Sequence, residues 1–261
     1  MNNTLSLVSA IFNVLVTGLF AGVVLRQYLR RHRGYQLYWF VGLLMAFLAT
    51  LAYVFMVLTE PGSYDGVILF RFYYILGVLT PAWLGLGSVA LVSKARVTTL
   101  SLTFLYLLSG LTVALALLAR IDMAKLTQIV GPGTGILIPG PWLVAVIIAN
   151  TLGVVAVVGV ALYSGLKLLR QQHVIAGFRT SNILWANILI LAGDLLNGAA
   201  GTFARVLGFE SGFWLIMAFG WVVFFAGVLL ASRRSSVSKT VLATVPQAGD
   251  VEDVEKQVAS S

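Results

Sequence analysis

The sequence predicts an all-α polytopic membrane protein, a seven-transmembrane helix bundle with its amino terminus outside and its carboxyl terminus in the cytoplasm. Three observations predict it. The 261 residues are 59% hydrophobic and only 10% charged, with a mean hydropathy of +0.97, whereas a soluble domain is about a quarter charged. The apolar residues fall into seven runs, each supplying the roughly 20 helical residues that a hydrocarbon core about 30 Å thick requires. The basic residues gather in alternate connections between those runs.

The runs lie at 5–26, 37–58, 67–92, 98–119, 141–166, 183–207 and 212–232. The first has no basic residue before it and the cluster "RQYLRRHRG" after it. That is the reverse of a cleavable signal peptide, so the segment is expected to stay and anchor. Arg26, Arg30, Arg31, Arg33, Lys94, Arg96, Lys167, Arg170, Arg179, Arg233, Arg234 and Lys239 fall on one side of the membrane. The other side has Arg120 and Lys125 with Glu60, Asp65, Asp122 and Glu210. The positive-inside rule then sets the orientation. It also accounts for the net charge of +8 without nucleic acid as a partner. Residues 1–232 read as one transmembrane domain. Residues 233–261, basic at first, then acidic and poor in large apolar groups, read as a disordered cytoplasmic tail.

Between the fourth and fifth spans, "LTQIV-GPGTG-ILIP" reads as two short β-type runs about a Gly/Pro turn, a hairpin lying over the outer mouth as a cap or a lid. Trp39, Trp142, Trp185, Trp214 and Tyr35 sit near span ends, as interfacial anchors do. Gly18 and Gly22 form a GxxxG pattern, which suits packing within the chain as well as a homo-oligomer or a partner membrane protein.

Residues three, four and seven apart share a helix face. Asn187, Asp194, Asn197, Gly201 and Arg205 follow that spacing in the sixth span. Arg71, Tyr74, Pro81, Gly85 and Ser88 form a matching stripe in the third, with Asn150 in the fifth and Asn13 in the first. Lipid cannot satisfy such groups, so the stripes are expected to face the bundle interior. At 1.5 Å per residue Asp194 lies about 18 Å from the inner end of its span. Arg71 enters from outside to a depth of about 7 Å, so Arg71 is the expected partner of Asp194. Arg205, about 16 Å from Asp194 along the helix, is expected to meet Glu60, Asp65 or Glu210 instead. An Arg71–Asp194 pair is either a clasp between the third and sixth spans or part of a cavity for an ion, a proton or a small solute. The candidate ligand-binding set is Asp194, Arg71, Asn197, Asn187, Asn150 and Tyr74. Pro81 should kink the third span.

No enzymatic activity, metal site or cofactor is expected. Cysteine is absent, and both histidines, His32 and His173, fall in polar loops, away from any haem in the bilayer. The seventh span lacks the lysine that retinal proteins require, and the Pro-Gln dipeptide of one transporter class occurs only at Pro246-Gln247. The segments "LYWFVGLLMAFLATLAYVF" and "RFYYILGVLTPAWLGLGSVALV" carry an R-x-x-Y-x-x-G…W-L-x-L-G pattern over about 35–92. In these residues the chain resembles an uncharacterised family of bacterial seven-helix integral membrane proteins. The resemblance implies a bacterial inner membrane and no particular activity. A small-solute or ion-linked transporter with a polar site between the third and sixth spans is the leading expectation. A non-catalytic sensor or scaffold, signalling through its cytoplasmic basic loops and tail, is the alternative.

Overall fold

The computed structural model describes the backbone of residues 2–171 and 179–232 and the side chains of 4–167 and 184–231. The tail 233–261 and the loop holding His173 lie outside the described residues. Seven long helices follow the seven apolar runs, namely α1 (Asn2–Arg31), α2 (Gly34–Leu58), α3 (Tyr64–Val92), α4 (Ala95–Leu118), α6 (Pro141–Gln171), α7 (Arg179–Val206) and α8 (Phe213–Ser232). All seven are long and apolar enough to cross a membrane. A short α5 (Met123–Thr127) lies in the connection between α4 and α6. Local chemistry sets several ends. The Ser63 side chain accepts from the Gly66 N–H at 3.1 Å to start α3, as N-cap serines do.

Helices α1, α2, α3, α6, α7 and α8 each pack on the next, and α8 returns to α1, so six helices form a closed ring. Helix α4 stands outside the ring against α3 and α6, with Leu100, Phe104, Leu107 and Leu111 exposed. Among the described residues, α3 and α7 do not pack on one another but face across the ring.

Apolar burial gives little drive between helices already in lipid, so close packing and small residues decide which faces meet. Gly153 of α6 is set against the Pro81 carbonyl of α3, and a Cβ added at Gly85 would lie 2.8 Å from the Gly153 Cα. Helix α7 approaches α8 in the same way, and a Cβ at Gly227 would lie 2.8 Å from the Ile190 nitrogen. Gly18 packs α1 onto Phe47 of α2, whereas Gly22 has nothing near it. Helix α3 runs unbroken through Pro81. The proline still supplies no N–H, so the Gly77 carbonyl lacks its usual donor.

The expected hairpin over one end is not what forms. Its first run begins as α5, capped by the Asp122 carboxylate, which accepts from the Lys125 N–H at 3.2 Å. Among the described residues strand-like pairing is confined to one antiparallel bridge, Ile121 to Leu137, with Asp122 N–H donating to the Ile136 carbonyl at 2.8 Å and Ile138 N–H to the Arg120 carbonyl at 2.9 Å. Leu126, Ile129, Ile136 and Leu137 are buried in one cluster with Tyr53, Phe70, Tyr73, Trp142 and Trp214. Burial of these side chains, not strand pairing, holds the segment. Two tryptophans expected as interfacial anchors are therefore core residues, with Trp142 only 4% and Trp214 only 2% exposed. Trp39 donates to the Ser88 hydroxyl at 3.4 Å, and Trp185 remains exposed.

Candidate ligand cavity between α3 and α7

The space across which α3 and α7 face one another is a cavity of about 690 Å³, walled also by α2, α6 and α8 and covered by the loop at Pro132 and Thr134. Its volume is in the range of sites that hold small organic ligands. The polar face of α7 forms one wall, with Asp194, Asn197, Gly198, Gly201 and Arg205 all lining it. Across from them stand Tyr73, Tyr74, Thr80 and Pro81 of α3, with Asn150 of α6 beside them. Indole rings of Trp214 and Trp221 from α8 complete it. The wall is mostly apolar, with a few polar groups converging.

Asp194 lies close to the middle of α7 and is 7% exposed. Its Oδ2 is buried without a hydrogen-bond partner, as are the amide oxygens of Asn150 and Asn197. Asp194 thus lines the cavity with no hydrogen bond or ion pair from a described residue to balance its carboxylate.

The expected Arg71–Asp194 pair does not form. Arg71 turns away from the cavity to the end of α4, where its guanidinium donates to the carbonyls of Ala116 at 2.9 Å, Leu117 at 2.8 Å and Ala119 at 3.1 Å. The last carbonyls of a helix have no partner in their own ladder, and a planar five-donor fork serves several of them at once. Arg205 does not reach an acidic residue either. Its side chain meets Tyr74 at the cavity wall, and the one ion pair among the described residues is Lys125 to Asp122 at 3.7 Å.

Of the six residues expected to form the site, Asp194, Asn197, Asn150 and Tyr74 line the cavity, while Arg71 and Asn187 do not. Asn187 is half-buried with its amide nitrogen unpartnered. Asn13 donates to Thr50 at 3.2 Å, tying α1 to α2. Thr50, Thr80, Trp214 and Trp221 also line the cavity, outside the set expected from the sequence. Trp221 carried a usable signal, because a tryptophan in the middle of a span cannot be an interfacial anchor and must pack inside.

The covering loop is fastened at several points. The Tyr73 hydroxyl donates to the Pro132 carbonyl at 3.0 Å, and the Thr134 hydroxyl donates to the Glu210 carboxylate. Gly131 sits at φ +67°, where a side chain would be strained. A Cβ there would also strike the Glu210 backbone. Thr134→Val keeps the shape and removes the donor, so it should cost about 1 kcal/mol. Faster limited proteolysis within 131–135 would report the loosened loop, and unchanged cleavage would show that the Thr134–Glu210 contact does not hold it.

Comparison with family profiles, characterised proteins and solved structures finds no match to this chain.

Proposed function

We propose that this integral membrane protein takes a small solute into the cavity between α3 and α7 and carries it across a bacterial plasma membrane. The single observation that carries the reading is the unpartnered Asp194 carboxylate on the cavity wall. A buried charge costs several kcal/mol unless compensated, and a solute compensates it when bound. Two further features support carriage. Asp194 stands near the middle of a membrane-length helix, the depth at which transporters hold substrate. The cavity is also covered at one end by a loop fastened through side chains, as a site with alternating access requires. The distribution of basic residues supports an orientation with that loop outside, and the third-span pattern supports a bacterial membrane.

The glycines of α7 give a direct test. Gly198 lines the cavity, and a Cβ added there meets nothing within 4 Å. Helical side chains lean toward the preceding turn, so Gly198→Phe places a ring over the approach to Asp194. Replacing a mid-helix glycine should leave stability equal or higher by up to about 1 kcal/mol. The expected result is a folded Gly198→Phe protein that has lost the solute flux of the wild type in proteoliposomes. Undiminished flux would remove the cavity from the path. Orientation is checked separately by a reporter after Lys239, expected in the cytoplasm, and one at Gly133, expected outside.

A further inference from the structure

Resting on the reading of this cavity as a solute site, we infer that its ligand is an amphiphilic organic ammonium ion that enters sideways from the membrane between α6 and α7. Charge comes first. Among the described residues Asp194 is the one acid on the wall, and no hydrogen bond or ion pair engages it. The amide oxygen of Asn150, another residue of the wall, is also unpartnered, and the two acceptors together call for a donor-rich cation. The indole N–H of Trp221 is unpartnered too, which suits a hydroxyl or carbonyl elsewhere on the same ligand.

A bare metal ion fits poorly. Among the described residues no three acidic or histidine side chains gather anywhere. The volume of about 690 Å³ is also far larger than an ion and its first ligands need. Much of the lining instead suits an apolar body, with Tyr73, Tyr74, Trp214, Trp221, Met217 and Val146 around the cavity. Aromatic faces attract organic cations as well as apolar groups.

The route follows from exposure. Every cavity-lining residue that is exposed belongs to α6 or α7, among them Thr151 and Val155 of α6 and Leu195, Gly198 and Thr202 of α7. The seam between these two helices is thus an opening at membrane depth, where Gly198 leaves space and the covering loop does not reach. Arg205 stands on the same face of α7 about 16 Å from Asp194, toward the loop end, so a cation arriving through the seam does not have to pass it.

The test uses purified full-length protein in lipid nanodiscs and a thermal-unfolding readout. The probes are a series of ammonium ions from tetramethylammonium to phenethylamine and larger arylalkylamines. Each arylalkylamine is matched by its alcohol and its carboxylate, and sodium and potassium ions are tested alone. The arylalkylamines should stabilise the protein saturably. Asp194→Asn should weaken them at least tenfold, Gly198→Phe should abolish the effect with the carboxylate intact, and alcohols and carboxylates should act weakly if at all. Alcohols matching amines in wild type and Asp194→Asn alike, yet blocked in Gly198→Phe, would overturn the cation while leaving the cavity as a solute site. An Asp194-dependent response to sodium or potassium alone would replace the organic ligand by a metal ion. No response to any probe would overturn the inference, and the flux of the Gly198→Phe protein would still decide the broader reading.

Discussion

Gly153→Val is expected to unfold or severely destabilise the protein, by about 3 kcal/mol or more. Position 153 is where α6 lies directly against the backbone of α3, beside the Pro81 carbonyl and Gly85. A branched side chain there meets main-chain atoms, which cannot rotate aside as a flexible side chain can. Inserting even one or two methyl groups into a close-packed contact costs about 1–3 kcal/mol, and more when backbone must move. The contact also fixes the cavity, because α3 and α6 carry Tyr74, Pro81 and Asn150 on its wall. Thermal unfolding in detergent checks the stability. Gly159→Val on the same helix, where an added Cβ meets nothing within 4 Å, is the control and should change little.

Arg71→Ala should cost about 2–3 kcal/mol, through α4 rather than through Asp194. Three carbonyls at the end of α4 lose their donors together, and each buried unsatisfied group costs about 1–3 kcal/mol, less where water reaches it. Arg71→Lys should recover only part of this, since an ammonium is a compact point of charge and not a planar fork. Adding Asp194→Ala to Arg71→Ala should change stability by the sum of the single effects, because the two residues share no contact. A coupling above about 0.5 kcal/mol in that double-mutant cycle would mean that they interact after all.

Why the sequence misassigned this arginine is instructive. Spacing along one helix gives the face and the depth of a residue, and both were legible. Asp194, Asn197, Gly201 and Arg205 do share a wall, and Tyr74 and Pro81 do lie across from them. Spacing does not give the rotation of one helix relative to its neighbours. The third-span stripe is therefore divided, with Tyr74 and Pro81 on the cavity, Gly85 on α6, Ser88 on Trp39, and Arg71 on α4. Backbone acceptors are also invisible in a list of side chains, so helix-face arithmetic offers an arginine only carboxylate partners. The connection between α4 and α6 shows a different limit. Its β-type composition suggested two strands, yet Asp122 caps a helical turn and the apolar residues gain more by entering the aromatic cluster. Tertiary burial overrode local preference. The seven spans were legible because the requirement for about 20 apolar helical residues leaves little freedom.

The central claim is that the Asp194 carboxylate is held ready for a ligand, pairing with none of the described residues. Thermal unfolding of Asp194→Asn, with and without an arylalkylamine, tests it most directly. A residue kept for binding at the expense of stability should, when neutralised, leave the empty protein as stable as wild type or more so by about 1 kcal/mol. The same variant should lose the stabilisation that the amine gives the wild type. An Asp194→Asn protein that is less stable by a few kcal/mol when empty, and still stabilised by the amine, would contradict the account. That result would make Asp194 a structural partner of some other group.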